Sequence, residues 1–182
     1  LFLLMIVSGL LGSNNVYGAE NTPPNSTPYS KSLIPAYENH FNRSKPVIAV
    51  VAENRFTEIT DYVVPYGVLS ESQVAEVFAL ALKPEPIQMF PAPILIQPQE
   101  TVDGFNALYP EGADYVVVPA VHYSSDPTLI AWIITQAKKG ATIIGICDGV
   151  WVLANAGLLE GRKSVGHWYS FKSLEKKYET TD

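Results

Sequence analysis

The sequence predicts an α/β protein built on a mostly parallel sheet, and three observations carry that prediction. Short apolar runs at 47–51, in "ADYVVVPA" and in "ATIIGIC" have the composition of strands buried on both faces, as the strands of a parallel sheet are. Stretches with helical period separate the runs, and Gly, Pro, Asp or Asn punctuate the junctions. With 47% hydrophobic and 16% charged residues in 182, the chain holds enough apolar surface to bury a full core.

The elements follow in order from residue 46. Residues 47–51 form the first strand. "TEITDYVVPYGVLSES" then opens a helix at a Thr/Glu start. Pro65 is expected to end or kink that helix, because its ring removes an N–H and crowds the preceding turn. A strand is expected at 76–82. "KPEPIQMFPAPILIQPQE" holds too many prolines for a central strand and is expected as extended edge structure or a hairpin. "ADYVVVPA" is the next buried strand. "DPTLIAWIITQAKKG" declares both ends of a helix, with Asp126 at the N-cap, Pro127 at the first position and Gly140 past the last turn. "ATIIGIC" reads as a strand, "GVWVLANAGLL" as a short apolar helix, "KSVGHW" as a short strand and "SFKSLEKKY" as a polar helix.

Ahead of this domain, residues 1–19 begin with an apolar run and then turn polar and small, as a secretory h-region does before cleavage. The run is short for a bilayer span. A signal peptide or membrane anchor is preferred over a buried N-terminal helix, which implies an extracytoplasmic domain, secreted or tethered through its N-terminus. Residues 20–45, rich in Pro, Ser, Thr and Asn, read as a linker. A formal net charge of −6 without a Lys/Arg cluster argues against a nucleic-acid partner. The single cysteine forms no intrachain disulfide, and His40, His122 and His167 are too scattered for a zinc-ligand spacing. Neither a metal nor a cofactor is expected.

The cysteine sits where a strand feeds straight into a helix, in Gly145-Ile146-Cys147-Asp148-Gly149. Such a junction turns sharply and lifts the central side chain out of the sheet, while flanking glycines let strand and helix approach closely. A helix N-terminus beneath the sulfur lowers a thiol pKa, so Cys147 is expected as a thiolate at neutral pH. The N–H groups of Asp148 and Gly149 are expected to stabilise developing negative charge. The alternative is a small buried hydrophobe, as most free cysteines are.

"ADYVVVPA" and "ATIIGICDGVWVLANAGLLEGRKSVGHW", with their spacing, resemble the ThiJ/PfpI superfamily of class I glutamine amidotransferase-like domains. The nearest type is that of AraC-type regulators and isocyanide hydratases. The resemblance implies a flavodoxin-like three-layer sandwich with a nucleophile elbow. It makes Cys147 the nucleophile and His167, in "GHW", a candidate base. Asp61 and Pro65 match the family's D-x-x-G-P pattern, with Val64 in place of its glycine, and the resemblance places the Asp61 carboxyl at the sulfur as a proton shuttle; a plain helix cap is the other reading of this residue. His122 and Trp151 are candidate pocket residues.

Three departures qualify the resemblance. Asp148 stands where peptidase-like members carry histidine. Pro119-Ala120-Val121 replaces a Pro-Gly-Gly whose N–H groups help form an oxyanion hole, leaving Val121 as the backbone candidate there. The family domain also continues past the "HW" stretch, so 46–182 is expected to lack its C-terminal part. The resulting expectation is a cysteine-dependent hydrolase or hydratase acting on a small molecule. The alternative is a non-catalytic ligand-binding or redox-sensing domain of the same fold, and the resemblance implies a homodimer in either case.

Overall fold

The structure is a computed structural model that describes residue 37 and residues 40–178. The expected signal or anchor at 1–19 and most of the linker at 20–45 lie outside the described residues. In chain order the elements are β1 (Val47–Ala52), β2 (Arg55–Glu58), α1 (Ile59–Ser72), β3 (Glu76–Ala81), β4 (Ile87–Phe90), β5 (Leu95–Ile96), β6 (Glu100–Thr101), α2 (Val102–Leu108), β7 (Tyr115–Val118), α3 (Pro127–Lys138), β8 (Thr142–Gly145), a 3-10 turn (Cys147–Gly149), α4 (Val150–Asn155) and α5 (Phe171–Lys177). Five strands pair in the order β6-β3-β1-β7-β8, every pair parallel. A smaller sheet, β2-β4-β5, stands beside them.

β1 lies at the centre because it can bury both faces. All six of its residues are buried. Val47, Ala49 and Val51 point into a core with Phe105, Trp132 and Ile133 of α2 and α3, together with α4 and Leu174 of α5. Ile48, Val50 and Ala52 point the other way, onto Tyr62 of α1 and Ile87 and Met89 of β4. Three layers result, a flavodoxin-like α/β sandwich. Each fully buried valine contributes roughly 1.5–3 kcal/mol of transfer free energy, so β1 anchors both cores. Asp114, ahead of β7, accepts the Val47 N–H at 2.8 Å and the Arg43 guanidinium at 2.8 Å, which fastens the starts of the two central strands.

The chain runs outward from β1 through β3 to β6, then returns to the other side of β1 as β7. The sheet's order therefore reverses between β1 and β7, and open α/β sheets bind ligands beyond the carboxyl ends of strands at such a point. The register Val118↔Gly145 brings the residues after β8 alongside those after β7.

Several elements differ from the sequence prediction. α1 runs through Pro65 without ending. Its anchor is Tyr62, buried and donating its hydroxyl to the Leu80 carbonyl at 3.1 Å, so packing outweighs the backbone bond that proline removes. The "KSVGHW" stretch forms no strand, and Val165 within it is 79% exposed. α2 had no predicted counterpart; Thr101 caps it by accepting the Gly104 N–H at 3.0 Å. The proline-rich stretch does form a hairpin, β4 against β5, at the edge of the small sheet. No helix among the described residues is long and apolar enough to cross a membrane.

Candidate functional site

Cys147 sits at the turn between β8 and α4 with φ 55°, one of four non-glycine residues at positive φ among those described. A left-handed φ costs a side-chain-bearing residue about 1–2 kcal/mol. It also turns the thiol away from the strand. Gly149 makes the turn possible: a Cβ there would lie 2.1 Å from the Val118 carbonyl oxygen and 3.0 Å from that of Pro119. The turn therefore rests directly on the end of β7.

Asp61 comes to the same place from α1. Its carboxylate accepts the Ala120 N–H at 3.1 Å, just beyond β7, and also interacts with the Cys147 thiol, the weaker of the two bonds in its effect on the carboxyl. Glu58 holds this arrangement in register. It caps α1 by accepting the Asp61 N–H at 2.7 Å and the Thr60 hydroxyl at 2.7 Å, and its own N–H donates to the Ala120 carbonyl at 2.8 Å. The sequence offered one signal for Glu58, the Thr/Glu helix start, but none for its nearness to the thiol. Phe56, at φ 71°, and Phe90 were also missed.

The electrostatics run against the expected thiolate. Burial pushes the Cys147 thiol up, and the carboxylates of Asp61, Asp148 and Glu58 push it further, against a single favourable contribution from the Asp148 N–H. The helix below contributes little, because the Gly149 N–H is spent on the Ile146 carbonyl at 2.8 Å. That bond also removes Gly149 as a donor to developing charge and leaves Asp148 as the elbow's N–H at the sulfur. Asp61 is raised as well, first by burial and then by Glu58 and Asp148; the Ala120 N–H and the thiol only partly offset this. Burial and neighbouring charge thus shift both groups in the same direction, upward.

The other predicted residues make their contacts with groups other than the thiol. Val121 is buried and bridges antiparallel to Thr57, which ties β2 to the end of β7. His122 is exposed, its ring 4.2 Å from Phe90 and 5.2 Å from Phe56 between centroids. The interactions of the His167 ring are with Trp168 and Tyr169. Its carbonyl accepts the Ser170 N–H at 3.0 Å, and the Ser170 hydroxyl donates to the Asp148 carboxylate, so this stretch is joined to the elbow through Ser170. Trp151 packs against Tyr178 and under the Lys177 ammonium, where it docks α5. A cavity of about 270 Å³ opens nearby at the ends of β1 and β3, lined by Glu53, Arg55, Lys83, Asp126 and Thr128, and does not include Cys147. No cluster of His, Cys, Asp and Glu among the described residues has the form of a metal site.

A parallel α/β sandwich carrying a cysteine on a left-handed turn at its switch point defines the class of protein. The DJ-1/PfpI family matches residues 45–182, and the chain belongs to that family. Over 52 residues it is 38% identical to the HTH-type transcriptional regulator CdhR of Pseudomonas aeruginosa, a match spanning 29% of this chain and 16% of the regulator. That relative's name stands against extending the expectation of no nucleic-acid partner to the family. Among solved structures, a ThiJ/PfpI family protein from Pseudomonas syringae superposes with TM-score 0.62 at 21% identity, over 80% of this chain and 61% of that one. A cysteine-to-alanine mutant of a DJ-1 superfamily protein from Salmonella typhimurium gives TM-score 0.63 at 22% identity, over 75% of this chain and 72% of that one. These likenesses show the fold.

Proposed function

We propose that this domain is a cysteine-dependent hydrolase or hydratase of a small molecule, with Cys147 as nucleophile and Asp61 as its proton partner. The observation that supports the reading is the pairing of thiol and carboxyl at the sheet's switch point. As the sulfur bonds to an electrophilic carbon, the S–H proton passes to the Asp61 carboxylate, and the Asp148 N–H faces the sulfur from the turn. In hydrolysis the leaving group departs from that carbon with the proton Asp61 holds, whereas in hydration no group leaves and the substrate takes that proton. Water then attacks the same carbon, passing one proton to Asp61 as the S–C bond breaks, and Asp61 returns this proton to sulfur. Incubation with a panel of electrophilic small molecules, followed by mass spectrometry of protein and products, tests this. Turnover lost in Cys147→Ser and in Asp61→Asn supports it; a stable adduct without turnover overturns it.

A second reading, ligand binding or redox sensing without turnover, draws on one specific observation. Few backbone donors are left to hold an oxyanion, since Gly149 donates to Ile146 and Ala120 donates to Asp61. Reversible oxidation of Cys147 by dilute peroxide, with no substrate consumed, would favour it. In either reading we propose that the domain works outside the cytoplasm, on the strength of the apolar run at 1–19. Fractionation of cells expressing the native gene checks this, and recovery of the intact chain in the cytosol would refute it.

A further inference from the structure

We propose that the elbow site accepts uncharged and cationic electrophiles and rejects anionic ones. The proposal rests on the reading of Cys147 as a nucleophile and adds the charge class of its substrate. Its basis is a set of three carboxyl groups fixed around one thiol. Glu58 and Asp61 are knotted to the end of β7 by three bonds, Asp61 N–H to Glu58 at 2.7 Å, Glu58 N–H to the Ala120 carbonyl at 2.8 Å and Ala120 N–H to Asp61 at 3.1 Å. Asp148 follows the cysteine directly, and its carboxylate is held by the Ser170 hydroxyl. None of the three is free to swing away.

Among the described residues, no ion pair offsets them: no Lys or Arg is paired with Glu58, Asp61 or Asp148. Arg55, the nearest basic residue along the chain, is drawn off to Glu53 at 2.8 Å and Asp126 at 3.2 Å, with its guanidinium 3.9 Å over the Tyr123 ring. An anionic substrate would thus meet fixed negative charge with nothing to pair it. Like charges brought together where water is partly excluded repel strongly, and a cation gains by the same amount.

The test is thiol modification by two methanethiosulfonates of similar size, one carrying a trimethylammonium group and the other a sulfonate. In both, the Cys147 sulfur attacks the divalent sulfur, a disulfide forms, the bond to the sulfonyl sulfur breaks, methanesulfinate leaves and the thiol proton goes to solvent. The ratio of the two rates cancels the fraction of thiolate, so it reads charge selection alone. At pH 8 and low salt the cation-to-anion ratio, divided by that of 2-mercaptoethanol, is expected to be about tenfold or more. Glu58→Gln and Asp148→Asn, which keep an acceptor oxygen, are each expected to lower it severalfold. Glu175→Gln, an exposed change on α5 with the same effect on net charge, should leave it unchanged. A ratio equal to that of the free thiol, or one that Glu175→Gln lowers as much as Glu58→Gln, overturns the charge selection and leaves the nucleophile reading standing. Failure of both reagents to modify the folded protein overturns the two together.

Discussion

Replacing Gly149 by alanine isolates the contact on which the elbow is built. Conformation is not the obstacle, because Gly149 has φ −57° and ψ −23°, ordinary helical values. On propensity alone alanine would be favoured there by about 0.5–1 kcal/mol. The obstacle is the Val118 carbonyl oxygen, 2.1 Å from the new Cβ, where a carbon–oxygen contact needs about 3.3 Å. The turn and the end of β7 would have to part by about 1 Å. That oxygen also accepts the Ile146 N–H at 2.9 Å, so separation weakens a buried bond of about 1 kcal/mol net. Overpacking adds roughly 1–3 kcal/mol. The balance is a loss of about 2–3 kcal/mol, or roughly 4–12 °C in Tm for a domain of this size. Gly145→Ala is the control: its Cβ would lie 3.1 Å from the Val150 nitrogen and 3.3 Å from its other neighbours, which requires only a few tenths of an ångström. Its cost should stay below about 1 kcal/mol. Thermal and urea unfolding of both variants decides the matter. A Gly149→Ala protein with unchanged midpoints would refute the account of the elbow as a backbone contact only glycine permits.

Alkylation of Cys147 by iodoacetamide should show a midpoint above the free-thiol value of about 8.5, because burial and carboxylates favour the thiol, and Asp61→Asn should lower it. Asp61 itself is raised in the folded protein, so the folded state binds its proton more tightly and stability falls as pH rises from the ordinary carboxyl range through the raised value. The Tm advantage of Asp61→Asn should therefore appear across that window and persist above it; an advantage confined to acid pH would contradict the assignment. Cys147→Gly should abolish modification while keeping or raising Tm, since glycine adopts the left-handed turn without the roughly 1–2 kcal/mol a side chain costs there. Asp126→Ala removes the acceptor of the Thr128 and Leu129 N–H groups at the start of α3 and should cost about 1 kcal/mol by urea unfolding.

What was legible in the sequence was local. β1, β7 and β8 announced themselves by composition, and α3 by Asp126, Pro127 and Gly140, because burial and capping act within a few residues. α1 was harder. Pro65 is an honest breaker signal, but Tyr62 reaching Leu80 across 18 positions decides the outcome, and no window along the chain contains that bond. "KSVGHW" has strand-like composition, yet a strand needs a partner edge, and its pairing is settled by the rest of the sheet. At the site, the glycines around Cys147 marked the turn, and the structure supplies the reason at Gly149. The thiol is shifted in the direction opposite to that expectation. A helix N-terminus is visible in sequence, whereas the diversion of its N–H to Ile146 and the arrival of Glu58 and Asp61 from another element are not.

The elbow combines features that folding alone would remove: a cysteine held at left-handed φ, and three partly buried carboxyl groups kept close to a thiol. Strain and like charge at one point are what a reaction centre retains and a packing residue loses. On the nucleophile reading proposed above, the two raised groups also constrain the order of events. A neutral thiol attacks poorly, and a thiolate formed first would stand beside three carboxylates with one N–H to steady it. Attack is easier if the proton leaves sulfur for Asp61 as the new bond forms, because negative charge then moves from the carboxylate onto the electrophile without ever being added to the site. Such a path requires an electrophile that can take up that charge, which a substrate already anionic would do worst. On the proposed reading, the same carboxyl groups that push the thiol up would also select, by the same physics, what it can react with.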